Sequence, residues 1–253
     1  MRFFRKRFIV WLNRKGATKL VVTFGLVALI LTMFSIKVPT SKSETWSYWT
    51  MPLSGKTIAL DPGHGGPDGG AVSKSGLVEA DINLQIAFYL RDFLQEAGAI
   101  VVMTREENKD LARPETKGYS KRKTEDLLQR VELIRKHHAD LVVSIHLNAI
   151  QSPRWRGAQT FYNPKLEESN RLAALIQDEF IRNLGNTNRA TKTDDTFYIL
   201  KALPLPGALV EAGFLSNPEE AKLLGSPDYQ KKIAASIYQG ILRFYSGEQV
   251  GEK

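Results

Sequence analysis

Apolar and polar positions along the 253-residue chain alternate between two periods, and a third pattern precedes them. Residues 20–36, LVVTFGLVALILTMFSI, run for seventeen positions without a charge and show no polar face. This is the short limit for a membrane-spanning helix. Residues 37–55 show no helical or strand period and read as a linker carrying Trp46, Tyr48 and Trp49. From residue 56 the two periods take turns. TIAL (57–60) predicts a buried strand ending at Asp61 and Pro62. Asp81 is a candidate N-cap for a helix whose stripe is Ile82, Ile86, Leu90, Phe93 and Leu94, with Gly98 as its stop. AIVVMT (99–104) predicts a second strand, and the charge-rich stretch 105–123 a mobile loop. A helix is expected over 124–138, with Leu127, Leu128, Val131 and Ile134 on one side. Strands follow at 140–147 and 158–162, then a helix over 167–184, a strand at 207–213 and a closing helix over 229–245. Strands alternating with helices imply one α/β domain, 56–246, with a mostly parallel twisted sheet, helices on both faces and a short tail, 247–253.

Charge changes one part of this picture. The formal net charge is +8, yet residues 1–19 hold seven Lys and Arg and no acid, so about +1 remains for everything after them. The high isoelectric point belongs to the tail, and the domain shows no field that would recruit nucleic acid. Basic before apolar predicts a cytoplasmic N-terminus and export of residues 37–253. Residues 20–36 then serve as an uncleaved membrane anchor or as a signal sequence, whose layout is the same. The chain has no cysteine, which excludes disulfides and thiolate ligands.

Ligands of open α/β sheets bind beyond the carboxyl ends of the strands. The chemistry-bearing residues collect there: His64 after the first strand, His146 near the end of the third, Glu211 in the last, and Glu79 just before the first domain helix. Two imidazoles and a carboxylate make a catalytic zinc set with one open position, and a further carboxylate can act as base on the water placed there. The glycines around His64, LDPGHGGPDGG, would let the backbone turn tightly and aim the imidazole. The residues alone leave a second reading open, in which His64 is a hydrogen-bonding group in a glycine turn. A phosphate cradle fits poorly: no Lys-Ser/Thr follows, the glycines miss G-x-G-x-x-G, and GKT at 55–57 lacks its upstream glycine. His137 and His138 sit where they would meet a helix C-terminus and its dipole.

Five ordered motifs, LDPGHGGPDGGA, GLVEADINL, VVMTR, VSIHLNA and ALVEAGFLSNPEEAKLL, resemble the zinc-dependent N-acetylmuramoyl-L-alanine amidases of bacterial cell walls from about Thr57 to Tyr245. DPGHGGPDGG, TKGYSKRK and SIHLNAI are most similar to the germination-specific members. The resemblance implies a Zn2+ ion held by His64, Glu79 and His146, with Glu211 as the catalytic carboxylate. It implies peptidoglycan as substrate, action outside the cytoplasm at the forespore cortex, and a step towards muramic-δ-lactam. No blocking helix and no appended wall-binding repeat are expected, so control would come from expression, location or an activating partner of unknown identity. Arg105 and Asn148, near the site in sequence, are candidate substrate contacts. A zinc peptidase acting within stem peptides and a wall-binding module without turnover are the competing functions.

Overall fold

In the computed structural model, residues 14–35 and 51–250 are described. They belong to two separate compact units, one within Met1–Trp49 and the other Thr50–Lys253. The first contributes helix α1 (Arg14–Ser35). Arg14, Lys15 and Lys19 occupy its first turns, leaving an uncharged stretch of roughly 24 Å at about 1.5 Å per residue, against a hydrocarbon layer of about 30 Å. Among the described residues, no helix is long and apolar enough to cross a membrane. The basic tail up to residue 13 and the linker with Trp46, Tyr48 and Trp49 fall outside the described residues.

The second unit is an α/β domain on a six-stranded sheet: β1 (Thr57–Pro62), β2 (Ile100–Met103), β3 (Leu141–Asn148), β4 (Gln159–Tyr162), β5 (Lys192–Thr193) and β6 (Gly207–Phe214), in the order β2-β1-β3-β6-β4-β5. All neighbours pair in parallel except β4 with β6. The helices are α2 (Glu79–Glu96), α3 (Tyr119–Lys136), α4 (Glu167–Leu184), α5 (Tyr198–Ala202), α6 (Pro218–Leu224) and α7 (Pro227–Tyr245).

Strand side chains alternate between the faces with period two. Ile58, Leu60, Leu141, Val143, Ile145, Ala208 and Val210 pack with α2, α4 and α7. Ala59, Val142 and Leu209 pack instead with α3 and α5. Both faces are therefore covered, as expected for parallel strands. The same alternation puts Asp61, Ser144, His146 and Glu211 on the α3–α5 side.

Several elements depart from the sequence expectation. Helix α2 begins at Glu79, with Val78 as its extended N-cap residue, so Asp81 lies in the first turn, where its charge suits the helix dipole. Helix α3 begins five residues before the expected start. The segment 105–118 that precedes it is tied down rather than loose: Arg122 donates to both oxygens of Asp110 at 2.9 and 2.5 Å and to the carbonyls of Arg113 and Thr116. Strand β5 and helices α5 and α6 are additional, and each is too short to show a period. Helix α6 still carries a local start signal, since Asn217 Oδ1 accepts from the Glu220 amide at 2.9 Å and Pro218 is its first residue.

Candidate active site

Strand β3 brings the first site residue to its place. Its last turn-out is irregular: His146 pairs with Glu211 of β6, but Asn148 pairs with Phe214, so a register shift lies between them. Such a shift bends a strand and re-aims its side chains. His146 and Glu211 therefore sit side by side at the end of the sheet, and Gln159 of β4 flanks Glu211 on the other side.

His64 reaches the same place by an uncommon backbone. Its φ is 63°, in the left-handed region, which few non-glycine residues adopt. Two buried arginines hold the loop in this form. Arg130 donates to the carbonyls of Pro62 at 2.8 Å and His64 at 2.6 Å, while pairing with Asp61 at 2.8 Å and Asp126 at 2.9 Å. Arg105 donates to the carbonyls of Pro62 (3.0 Å), Gly63 (2.9 Å), Ala80 (2.8 Å) and Glu107 (3.1 Å). Between them, three consecutive carbonyls of the histidine loop are fixed. Asp61 completes the base of the site by accepting from Thr104 and Ser144, both at 2.7 Å. Burial opposes ionisation of Asp61, but the Arg130 charge and these hydrogen bonds outweigh it and hold its carboxyl at about 2.

Glu79, in the first turn of α2, closes the triangle. Its Oε1 lies 3.2 Å from His64 Nε2 and 3.2 Å from His146 Nδ1. The carboxylate is oriented by the amides of Leu147 (3.0 Å, to Oε1) and Ala71 (2.8 Å, to Oε2) and by Asn83 Nδ2 (3.3 Å). Burial opposes its charge, yet the hydrogen bonds from His146 and His64 win, so it stays well below the usual carboxylate range. The two rings meet edge to face, 5.0 Å between centroids. One donor atom from each of the three residues lies within 4.8 Å of the other two.

Two imidazoles and one carboxylate with lone pairs converging on one point fit a divalent metal, and this donor set suits zinc. The glycines make room for it. A Cβ on Gly63 would stand 2.2 Å from Cε1 of His146, and one on Gly70 would stand 2.5 Å from Glu79 Oε2 and 2.8 Å from His64 Cδ2. Their role is close approach to the ligand set, where the sequence suggested only a tight turn. On the far side of His64, Nδ1 lies 3.0 Å from Asp68 Oδ1, whose other oxygen is 3.0 Å from Lys123 Nζ. The His64–Asp68 contact is not aligned as a hydrogen bond.

Glu211 faces the same space with its Oε2 buried and without a hydrogen-bond partner. Burial pushes its carboxyl up to about 7; the charge of His146 opposes this and that of Glu79 adds to it. All four residues line one cleft of ≈ 480 Å³, together with Asn148, Phe197 and Tyr198. Sequence reasoning thus named the four residues that converge. It did not find Asp61, Arg130 or Ser144, whose only signal was polarity inside otherwise apolar strands or on a helix. Arg105, expected at the substrate, is instead 2 % exposed and spends its donors on backbone carbonyls of the histidine loop, of α2 and of Glu107. His137, as expected, caps a helix end, with Nδ1 2.8 Å from the Leu133 carbonyl of α3.

Comparison with known proteins agrees with this geometry. Residues 58–243 match the N-acetylmuramoyl-L-alanine amidase family. The chain belongs to that family. It is 55% identical over 221 residues to the germination-specific N-acetylmuramoyl-L-alanine amidase of Bacillus subtilis (strain 168), spanning 87% of this chain and 93% of that protein. The structure of the CwlD amidase from Clostridioides difficile in complex with the GerS lipoprotein matches with a TM-score of 0.74 and 42% identity, covering 76% of this chain and 100% of that one. The catalytic domain of CwlV, an amidase from Bacillus (Paenibacillus) polymyxa var. colistinus, matches with a TM-score of 0.66 and 29% identity, covering 76% and 99%.

Proposed function

We propose that this chain is a zinc-dependent amidase that cuts the bond between the lactyl group of N-acetylmuramic acid and L-alanine in spore cortex peptidoglycan. The observation that carries the reading is the buried, unpartnered Oε2 of Glu211 beside the convergent donors of His64, Glu79 and His146. Held by those three residues, a zinc ion would supply Lewis acidity to the scissile carbonyl and the attacking water. The protein's own groups carry the proton. Glu211 accepts it from the water at Oε2 and returns it to the departing alanine nitrogen, so that a muramoyl carboxylate and a free peptide amine result. Burial without a hydrogen-bond partner makes the Glu211 carboxylate a stronger base than an exposed one, which suits the first half of that cycle. Asn148 lines the same cleft, which supports reading it as a hydrogen-bonding contact to the substrate amide.

The cortex assignment rests on the 55% identical germination-specific relative, and peptide removal there is a step towards muramic-δ-lactam. A lipoprotein is the chemistry we favour for an activating partner, by analogy with the complex of the CwlD amidase. Residues 20–36 direct the chain out of the cytoplasm, where peptidoglycan lies, as a signal or as a membrane-attached segment.

The decisive experiment incubates wild-type and Glu211→Gln protein with zinc and defined muropeptides, identifies new ends by mass spectrometry and measures bound metal. Loss of about 10²- to 10⁴-fold in kcat with metal retained is expected from removing a general base. Cleavage within the stem peptide, or an unchanged rate in the variant, overturns the assignment.

A further inference from the structure

A second built surface lies at the same edge of the sheet. Beyond Asn148 the chain leaves the catalytic cleft through Ala149, which lines both that cleft and a neighbouring groove with Val72, Ile150, Pro153 and Leu215. At the far end of this loop stands Trp155, 41% exposed. The Arg154 and Arg189 guanidiniums lie 5.1 and 5.6 Å from its ring centroid. Arg189 also lies 5.3 Å from the Phe214 ring. None of Arg154, Arg156 and Arg189 makes an ion pair among the described residues.

The loop that presents this group is rigid. Its Gly157 amide donates to both oxygens of Glu220, at 2.9 and 3.1 Å, and the same 3 % exposed carboxylate accepts from the Phe214 amide and from Asn186 Nδ2. Asn217 Nδ2 ties down the Pro153 carbonyl at 2.8 Å, and Ser216 Oγ accepts from the Ile150 amide at 3.2 Å. A Cβ on Gly157 would stand 2.6 Å from the Asn186 carbonyl oxygen. The buried Glu220 carboxylate thus fixes the backbone just beyond Trp155, and the exposed indole stands beside arginines that make no ion pair among the described residues. Trp and Arg dominate binding hot spots because they combine area, stacking and fixed hydrogen-bond donors.

We propose that Trp155 with Arg154, Arg156 and Arg189 forms a binding platform for the length of wall polymer beyond the scissile unit. A sugar ring of that polymer presents its apolar face to the indole, and stem-peptide carboxylates meet the guanidiniums. Two observations favour this occupant: the charge of the three arginines against the stem-peptide carboxylates, and the chain itself, which passes from Ala149 in the catalytic cleft along the groove to Pro153 and directly into Arg154 and Trp155. The proposal rests on the amidase reading for the identity of the polymer, but not for the existence of the platform.

Full-length Trp155→Ala, Arg154→Gln and Trp155→Tyr proteins would be compared with wild type in two assays. The first is co-sedimentation with insoluble peptidoglycan in the presence of chelator, so that no turnover occurs, over a range of salt. The second is zinc-supported cleavage of a single disaccharide-peptide unit. The expected result is binding to the polymer weakened about fivefold or more by Trp155→Ala, as for an aromatic anchor at a hot spot. Trp155→Tyr should retain most of it, Arg154→Gln should flatten its salt dependence, and cleavage of the small unit should stay at the wild-type rate. Polymer binding unchanged in Trp155→Ala and Arg154→Gln overturns the platform, and is what a protein-docking surface would give. A parallel loss of small-unit cleavage also overturns it, by showing a structural role. If wild type itself fails to cleave the small unit, the amidase reading fails, and the sedimentation result still decides the platform.

Discussion

At the scale of single residues, the site is built by crowding more than by flexibility. A Cβ at Gly63 would run into the His146 ring and one at Gly70 into Glu79 and His64, so each glycine keeps a side chain out of the space a metal needs. Gly63→Ala should therefore abolish zinc binding, read by metal analysis of the purified protein, while circular dichroism still shows a folded domain. Arg105 tests a different point. Replacing it by alanine removes its hydrogen bonds to the buried carbonyls of Pro62, Gly63 and Ala80, leaving Pro62 to Arg130 and Gly63 to the longer contact with Asn83, at about 1–3 kcal/mol. The expected outcome is a lower melting temperature and weaker metal affinity with KM for the muropeptide unchanged; a raised KM alone would restore it as a substrate contact. The four converging residues were legible in the chain because ligand chemistry restricts them to His and carboxylate types at strand ends. The arginines were not, because an Arg in a loop or on a helix reads equally as solvated surface until its partners are placed.

Among elements, short apolar runs were sufficient for β1, β2, β3, β4 and β6, and apolar stripes for α2, α4 and α7. Neither signal was present for β5, α5 and α6. Helix α5 contributes Ile199 and Leu200 to the core on the site side of the sheet, yet five residues carry no helical period. The start of α3 was missed for a related reason. Its first turn, Tyr119 to Arg122, is polar and exposed except where Arg122 grips Asp110, a contact between residues twelve apart. On the opposite face, α4 and α7 approach so closely that a Cβ on Gly240 would stand 2.8 Å from the Cα of Ile176. Gly240→Ala should cost about 1–3 kcal/mol by overpacking. Thermal denaturation would show this, and activity per folded molecule should be unaffected, because the contact lies across the sheet from the cleft.

For the whole molecule, stability and function meet at Asp61 and Arg130, which bind the sheet, α3 and the histidine loop into one unit. Because the Asp61 carboxyl is held at about 2 in the folded state, below the ~3.9 of a free side chain, the stability it contributes is present above about pH 4 and is lost as pH falls towards 2. Acid titration of unfolding free energy should show wild type more stable than Asp61→Asn at pH 6 and the gap narrowing through that window. Metal acts on the same unit. Excess zinc should raise the melting temperature and a chelator should lower it, since a ligand at about 1,000 times its Kd adds about 4 kcal/mol to the folded state. A melting temperature indifferent to both would argue against a metal at His64, Glu79 and His146. By itself the sequence determined the alternation of elements, the basic N-terminal tail ahead of an uncharged stretch, and the donor types available for chemistry, because these depend on local periodicity and side-chain identity. Only the tertiary structure decided that Glu79 stands between two imidazoles, that Glu211 is left buried without a partner, and that buried arginines lock the histidine loop. Each of those depends on contacts between residues far apart in the chain, which no local pattern records.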